Sequence, residues 1–475
     1  MNDIDFLKFI TLSGSNNIED DHADRLMQPM LFDEIARSIF AHAAAPFPVH
    51  AARRMKMYVQ VPFCASICSY CHCGSYRLKD LAQRKAFVDR ILRQIDVFGP
   101  CFTGIPFSAL TILGGTATLL PPADLKRILE KISRNFSFTE TPDLHFEGHP
   151  ASFSEGHLSV LKHYKIRQIS LGVQSLDPRV LRNIERHQTR KDVERCIGKI
   201  KAAGFSLVDT DLMAGLPGQS PKSFLDDIRA LTDWGVDIIH MNPFCNISSS
   251  PYYARHKISI APLLKDRHAM LVLGKALLVS RGYVRQGLDS HQRISTGAHN
   301  KDCRLTYPGN VLGLGEEAKS NLAGRLLFQV RRGHTDKRQT LYAGYAVDER
   351  YAMAVYAQLQ LLQGLDTGVF EKVFGRGFES TFRGEVKTLM QRGIVHYNDG
   401  QYHYSKPWTI EGLFEFLYYT KILLGEKVIS DLKAVHRDRY VATQQGLCAS
   451  PLSRMFQELW CTRTYYDVGY KSCWL

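Results

Sequence analysis

The sequence contains no apolar run of the roughly 18–20 residues that a membrane-spanning helix requires. Its first residues, Met1-Asn2-Asp3-Ile4-Asp5, lack the basic region of a secretory signal peptide. Basic residues also form no single block, although 60 Lys and Arg against 47 Asp and Glu give a net charge of +13. We therefore expect a cytoplasmic protein with an acidic partner, and the charge alone does not choose between a carboxylated substrate, anionic lipid and RNA.

A second well-separated pair of Cys or His residues, which structural zinc sites usually carry, is also lacking. The cysteine count is odd, at eleven, and four of these thiols lie in one short loop. This distribution predicts a reducing compartment and excludes a disulfide framework. With 45% hydrophobic and 23% charged residues, the composition is that of a globular protein with room for about three domains.

The crowded loop holds Cys64, Cys68, Cys71 and Cys73, directly after a predicted strand at 57–63. Thiolates this close together require a cation or an iron–sulfur cluster to offset their mutual repulsion. The Cys-x3-Cys-x2-Cys spacing supplies three ligands, which leaves one iron of a four-iron cluster open. The pattern favours such a cluster over the two alternatives, a zinc site and buried thiols. Cys73 is either a fourth functional thiol or a bystander.

Strand and helix patterns alternate regularly through the middle of the chain. Predicted strands lie at 57–63, 109–115, 143–149, 168–174, 207–213 and 237–243. Predicted helices lie at 80–97, 122–135, 154–163, 190–203, 220–233 and 262–281. Such repeats predict an α/β fold, a partial (βα)6 TIM-like barrel with its reactive residues at the carboxyl ends of the strands.

Four segments are expected around this pattern. Residues 1–55 form an N-terminal extension, 56–325 the barrel, 326–420 a mainly helical lid domain and 421–475 an aromatic, cysteine-containing tail. Two helices and a hairpin signal at 394–404, with Asn-Asp-Gly at its turn, predict a winged-helix-like lid. We expect this unit to cover the barrel rather than to bind nucleic acid.

Several predicted strands end on glycine or polar residues that suit ligand binding. These residues are Gly114, Gly115 and Thr116, then Glu147, Gln174 and Asp211. Glycines allow backbone N–H groups to approach a ligand closely, and a carboxylate at a strand end can bind a ribose or an ammonium group. Arg186 is expected on the next helix, where it either pairs with a ligand carboxylate or forms a surface ion pair with a nearby glutamate.

These motifs resemble the radical S-adenosylmethionine (SAM) superfamily, and within it the oxygen-independent coproporphyrinogen III oxidase-like branch. The resemblance covers roughly residues 57–325 and is strongest in the cysteine loop and at 171–175 and 211–219. It implies a [4Fe-4S] cluster bound by Cys64, Cys68 and Cys71, whose open iron chelates SAM. An electron from the cluster then cleaves SAM to methionine and a 5′-deoxyadenosyl radical.

The resemblance also implies a second SAM and assigns further residues. Tyr58, Gly114 and Glu147 would contact the first SAM. The second SAM would be lined by Tyr70, Gly115, Thr116, Gln174, Arg186, Asp211 and Cys245. Cys73 would be catalytic. A flavodoxin or ferredoxin-type protein would supply electrons.

Three functions are compatible with this resemblance. The first is methylation of an sp2 carbon of a flat hydrophobic ring, with menaquinone the favoured substrate and peripheral contact with an anionic membrane. The second is oxidative decarboxylation of coproporphyrinogen III, and the third is haem binding as a chaperone. Leu113, Ala117 and Gln60 depart from the oxidase pattern, and residues 1–56 lack its N-terminal motif. We therefore expect the methyltransferase first.

Overall fold

The computed structural model describes most of the barrel and part of the regions around it. The described residues are 28–30, 55–71, 75–244, 251–256, 261–285, 290–294, 310–316, 318–322, 326–330, 342–346, 353–354, 357, 360–361, 364–405, 419 and 421–424. The C-terminal tail at 425–475 and nearly all of the N-terminal extension lie outside them. No helix in this described part of the chain is both long and apolar enough to cross a membrane.

One large sheet dominates the structure. The strands of the described residues are β1 (Gln28–Met30), β2 (Met55–Val61), β3 (Phe63–Cys64), β4 (Tyr76–Arg77), β5 (Phe107–Gly114), β6 (Phe138–Gly148), β7 (Gln168–Gln174), β8 (Leu207–Ala214), β9 (Ile238–Pro243), β10 (Tyr283–Arg285), β11 (Ser290–Arg293), β12 (Asn310–Leu314), β13 (Lys319–Leu322), β14 (Leu326–Val330), β15 (Tyr342–Ala346), β16 (Leu365–Asp366), β17 (Val395–Asn398) and β18 (Gln401–Tyr404). Thirteen of them join in the order β1-β15-β14-β13-β12-β2-β5-β6-β7-β8-β9-β11-β10.

The centre of this sheet is parallel. Strands β12, β2, β5, β6, β7, β8 and β9 run side by side in one direction. Helices connect them because parallel neighbours require a crossover. The α-helices are α1 (Leu81–Phe98), α2 (Pro122–Asn135), α3 (Glu155–His163), α4 (Pro178–Asn183), α5 (Arg190–Ala202), α6 (Pro221–Asp233), α7 (Pro251–His256), α8 (Ala261–Ser280), α9 (Thr367–Phe374) and α10 (Phe378–Gln391). The predicted α/β barrel fold is therefore confirmed.

Sequence signals define where the barrel helices begin. Ser154, Thr189 and Ser220 cap α3, α5 and α6, and each forms a capping box with the third residue of its helix. The buried face of α5 is an apolar stripe at helical spacing, formed by Val193, Cys196, Ile197 and Ile200. This stripe packs against the outward-facing side chains of the strands in the main hydrophobic core.

The two edges of the sheet are antiparallel. At one edge β11 pairs with β9 and β10 pairs with β11. At the other, β13, β14, β15 and β1 follow β12. The sheet thus continues past residue 325, the predicted end of the barrel, and it includes a strand from the predicted N-terminal extension. The four-segment division stays a prediction.

A small separate sheet lies in the predicted lid segment. Its strands β16, β18 and β17 accompany α9 and α10. The predicted hairpin is present, with Asp399 (φ 47°) and Gly400 (φ 81°) in the left-handed conformations of a type I′ turn. Phe370, Phe378 and Tyr402 pack edge to face inside this unit. These aromatic side chains therefore fill the core of the unit itself.

We expect Gly315→Ala to destabilise the protein by about 1–3 kcal/mol. Gly315 follows β12 with φ 107°, and a Cβ atom there would collide with the Gln60 carbonyl oxygen of β2. Thermal unfolding of the full chain measures the effect. Gly198→Ala is the matched control, because Gly198 is an exposed position of α5 with no atom within 4 Å of an added Cβ. That variant should gain about 0.5–1 kcal/mol, and equal melting temperatures for both variants would contradict the packing at Gly315.

Candidate active site at the carboxyl ends of the strands

The cysteine loop follows β2 at the carboxyl end of the sheet. Cys64 ends the short strand β3, which pairs in parallel with β4 as the chain returns. A turn brings the Cys71 N–H to the Cys68 carbonyl oxygen at 3.1 Å. The loop is held from outside by the Ser69 N–H, which donates to the Ile184 carbonyl oxygen at 2.9 Å. The thiols of Cys64, Cys68 and Cys71 are half-buried, while Cys73 lies outside the described residues.

The electrostatics of this loop suit a metal centre. Burial raises the pKa of Cys64 to about 11; a hydrogen bond with the Thr116 side chain opposes the rise, and the neighbouring thiols of Cys71 and Cys68 add to it. Binding of a metal would replace the thiol protons and offset the free-energy cost of ionising these buried thiols. No three His, Cys, Asp or Glu side chains of the described residues are placed to hold one ion between them. A four-iron cluster fits this spacing better than a single zinc ion, because each of its irons takes its own thiolate.

The Gly-Gly-Thr segment at the end of β5 packs directly against this loop. The Gly115 N–H donates to the Val61 carbonyl oxygen at 2.6 Å, and the Thr116 N–H donates to the Phe63 carbonyl oxygen at 2.8 Å. A Cβ atom on Gly115 would lie 2.6 Å from the Phe63 carbonyl oxygen and 2.9 Å from the Cys64 sulfur. A Cβ atom on Gly114, at φ 126°, would meet the Val61 backbone. Both glycines are thus required for the close approach of β5 to the cysteine loop.

Glu147, Gln174 and Asp211 lie near the ends of the adjacent strands β6, β7 and β8. Glu147 is opposite Ser170, and Gly172 is opposite Asp211. Gln174 has φ 65°, a conformation that non-glycine residues rarely adopt and that strained functional positions often show. The Asp211 carboxylate accepts a hydrogen bond from the Asn242 side chain at 3.1 Å.

The Glu147 carboxyl group lies among other acids. Burial raises its pKa to about 8, and the charges of Asp211 and Asp209 add to this rise. Arg186 and His240 oppose it. The Glu147 carboxyl group therefore holds a proton at neutral pH until a cation or a hydrogen-bond donor binds beside it.

Arg186 connects the cysteine loop to β7. It lies beyond the end of α4, in the segment before α5, so the expectation that it sits on a helix is wrong. Its guanidinium donates to the Gly172 carbonyl oxygen and, from Nε, to the Gln188 side chain at 3.0 Å. Its Nη1 atom lies 3.4 Å from the Tyr70 hydroxyl and 3.6 Å from the Cys68 sulfur. Arg186 thus has a positioning role that the sequence does not indicate.

The remaining predicted residues occupy different places. Tyr58 of β2 is buried beside Val311 and Ala318, where β2 meets β12. Tyr70 packs against the cluster of apolar side chains that includes Val180 and Leu181 of α4. Cys245 lies outside the described residues. The site that the structure brings together is therefore formed by the cysteine loop, Arg186 and the ends of β5 to β8.

A second layer of polar side chains lies in the barrel below this site. It comprises His145, Gln168, Asp209 and His240 on the consecutive strands β6 to β9. Gln168 Nε2 donates to Asp209 Oδ2 at 2.9 Å, and His240 Nε2 lies 3.3 Å from the same oxygen. The sequence analysis missed this layer. The alternation of side chains along a strand could have indicated it. His145 lies two residues before Glu147, and Asp209 lies two residues before Asp211, so each pair is on the same face of its strand.

Comparison with known proteins shows which proteins this chain is similar to. Residues 58–231 match the family model described as the radical SAM superfamily. The oxygen-independent coproporphyrinogen III oxidase of Escherichia coli is 26% identical over 263 residues, covering 55% of this chain and 57% of that enzyme. The oxidase of Paracoccus denitrificans is 24% identical over 372 residues, covering 76% of this chain and 77% of its own length. The chain thus spans little more than half of the Escherichia coli relative.

Two further matches bear on the fold and on the range of functions. The heme chaperone HemW of Buchnera aphidicola subsp. Schizaphis graminum is 24% identical over 272 residues, covering 56% of this chain and 70% of the chaperone. The solved structure of coproporphyrinogen III oxidase from Escherichia coli superposes with a TM-score of 0.66 at 21% identity, covering 83% of this chain and 93% of that one. At this identity the structural match establishes the fold alone.

Glu147→Gln should stabilise the purified chain at pH 8 and leave its stability nearly unchanged at pH 5. Folding raises the pKa of Glu147 from an ordinary value near 4.5 to about 8. The stability of the wild type therefore falls as the pH rises from about 4.5 to about 8. Glutamine cannot ionise and escapes this loss, which we expect to amount to about 1 kcal/mol or more at pH 8. Melting temperatures at the two pH values measure the difference.

Glu194→Gln is the control for that experiment, because Glu194 is exposed on α5. Its melting temperature should differ little from that of the wild type, and by the same amount at both pH values. A Glu147→Gln variant whose stability relative to the wild type does not change with pH would show that the carboxyl group ionises freely in the folded chain.

Proposed function

Because residues 58–231 belong to the radical SAM superfamily, we propose that this chain is a radical SAM enzyme that oxidatively decarboxylates a carboxylated tetrapyrrole of the coproporphyrinogen III type. The observation that carries the enzymatic part is the constellation at the carboxyl ends of the strands: three half-buried thiols in one loop, next to Glu147, Asp211 and Arg186. The tetrapyrrole part rests on the named activity of the curated relatives.

In this proposal Cys64, Cys68 and Cys71 bind the [4Fe-4S] cluster. When bound and reduced, the cluster supplies the electron that cleaves SAM. Glu147 suits the ammonium group of SAM, because a cation beside it would offset the repulsion from Asp211 and Asp209 and allow the carboxyl group to ionise. Gly114 and Gly115 keep the end of β5 close to the cysteine loop.

A second SAM is part of the proposal. Arg186, Asp211 and Gln174 would bind it, since a guanidinium suits its carboxylate and the aspartate suits its hydroxyl or ammonium groups. Arg186 would then have two duties, because it already donates to the Gly172 carbonyl oxygen and approaches Tyr70 and Cys68. We also propose Cys73 as a catalytic residue and Cys245 as a residue that binds the second SAM; both are outside the described residues. A flavodoxin or ferredoxin-type protein is the proposed electron donor.

The curated relatives favour this oxidation over methyl transfer to menaquinone, which the sequence analysis placed first. Both oxidases reported above carry the coproporphyrinogen III name, and neither carries a methyltransferase name. The net charge of +13 is compatible with a substrate that carries several carboxylates. Haem binding is the second candidate function, because a heme chaperone matches a similar share of this chain at 24% identity.

Product analysis separates these functions. The full chain is reconstituted without oxygen, reduced and mixed with SAM and coproporphyrinogen III. We expect 5′-deoxyadenosine, methionine and a tetrapyrrole in which a propionate has become a vinyl group. The 5′-deoxyadenosyl radical takes one hydrogen atom from the propionate, carbon dioxide leaves, and the remaining electron passes to a one-electron acceptor added to the mixture. S-adenosylhomocysteine with a methylated menaquinone would instead support the methyltransferase. Tight haem binding with little SAM turnover would support the chaperone, and either result would refute the proposed oxidation.

We expect Cys68→Ala to abolish cluster assembly, since removing one of three thiolates leaves too few ligands to retain the iron. Iron and sulfide analysis with the visible absorption spectrum measures the loss. Cys101→Ala is the matched control, because Cys101 is a buried thiol that donates to the Val97 carbonyl oxygen in the hydrophobic core. Cys101→Ala should retain its iron. A Cys68→Ala protein with full iron content would refute the assignment of the ligands.

A further inference from the structure

The polar layer below the site has a definite place in the barrel. We call His145, Gln168, Asp209 and His240 the floor layer. Their sequence neighbours Phe146, Ile169, Val208 and Ile239 lie in the hydrophobic core between the sheet and the helices. Because side chains alternate along a strand, the floor layer faces the opposite side, the barrel interior. On their own strands His145 and Asp209 lie two residues, or about 7 Å, before Glu147 and Asp211, whereas His240 is opposite Asp211 in the pairing of β8 with β9.

One carboxylate oxygen of the floor layer has no partner. Asp209 is 3% exposed. Its Oδ2 atom accepts from Gln168 and approaches His240, whereas Oδ1 has no hydrogen-bond partner among the described residues. Within the same described part of the chain, both ring nitrogens of His145 are buried and unpaired. Such buried polar atoms destabilise the folded chain as long as they stay unpaired.

The hydrogen-bonding character of these atoms limits what can bind there. An ionised carboxylate accepts hydrogen bonds and donates none. Burial lowers the pKa of His145 to about 4, so its ring is neutral and offers one donor and one acceptor. A group that satisfies the floor layer must therefore carry N–H or O–H donors. A quinone presents only carbonyl acceptors and leaves Asp209 Oδ1 unpaired.

We infer that the floor layer is the inner contact for the ring substrate, with Asp209 Oδ1 accepting a hydrogen bond from a pyrrole-type N–H group and His145 contacting the same ring. This inference rests on the proposed function and extends it, because it names a feature by which the enzyme would select tetrapyrroles over quinones. A pyrrole N–H, like the indole N–H, is a donor only. Glu147 and Asp211, which lie two residues further along β6 and β8 than His145 and Asp209, remain for SAM.

Asp209→Asn tests this contact because it can replace the hydrogen-bond acceptor Oδ1 with an amide NH2 group, which is a donor. The amide oxygen can replace Oδ2 as the acceptor for Gln168, which places the amide NH2 group where Oδ1 was. A donor then faces the substrate's donor. Asp237→Asn is the matched control: Asp237 is also buried, but it lies at the amino end of β9, where its Oδ2 atom accepts from the Val208 N–H at 2.9 Å.

The experiment titrates the reconstituted, SAM-loaded holoenzyme with coproporphyrinogen III, in the absence of oxygen and of a reductant for the cluster, and measures free ligand after ultrafiltration. The pyrroles of this flexible ring can tilt and direct their N–H groups to one face. We expect Asp209→Asn to weaken binding by about ten-fold or more, as for the loss of a hydrogen bond to a charged group. Asp237→Asn should bind within about two-fold of the wild type. Iron content is measured for each variant to show that it has assembled.

Each outcome decides a separate point. Unchanged affinity of an iron-loaded Asp209→Asn protein would overturn the floor-layer contact while leaving the proposed function in place. Failure of the wild type to bind coproporphyrinogen III would overturn both. If the Asp209→Asn protein does not assemble its cluster, the His145→Phe variant tests the contact instead. Phenylalanine keeps a planar ring at this position and removes the unpaired nitrogens. Weaker coproporphyrinogen III binding by that variant supports the contact, and unchanged binding overturns it.

Discussion

The close contact between the ends of β2 and β5 is the constraint on which the site depends. The Gly115 N–H and the Thr116 N–H both donate to carbonyl oxygens at the start of the cysteine loop. Any side chain at Gly115 would collide with Phe63 and Cys64. On the other side of the loop, Arg186 reaches Tyr70 and Cys68 from the segment after α4. The three thiols are thereby held at the carboxyl end of a rigid parallel sheet, beside the carboxylates of the neighbouring strands.

The barrel interior is unusually polar for a buried region. Glu147, Asp209 and Asp211 lie on its inner face, with the charge of Arg186 and the imidazole of His240 to offset their repulsion. Buried acids and unpaired polar atoms reduce the stability of the folded chain. The hydrophobic core that supports them lies on the other face of the same strands, against the helices. Buried polar groups that do not stabilise the fold are often the groups that bind ligands.

Much of the barrel could be predicted because its signals are local. Apolar periodicity and caps such as Ser154 and Thr189 define helices, and Asn-Asp-Gly defines the hairpin turn. Strand ends with a Gly pair or a carboxylate indicated the site. The position of Arg186 could not be predicted, because it depends on the short helix α4 and on contacts with Gly172 and Tyr70, which are distant in sequence. The floor layer was missed although His145 and Asp209 precede the predicted residues Glu147 and Asp211 by two positions. The contacts of Asp209 with Gln168 and His240 depend on the pairing of neighbouring strands, which no local signal gives.

The central claim is that three thiols of one loop hold a cluster with an iron left open for SAM. Electron paramagnetic resonance of the reduced, anaerobically reconstituted chain tests it most directly. The account predicts a [4Fe-4S]⁺ signal whose g values change when SAM is added, because SAM binds to the open iron. A cluster signal that SAM leaves unchanged, or a reconstituted protein without any cluster signal, would contradict the account.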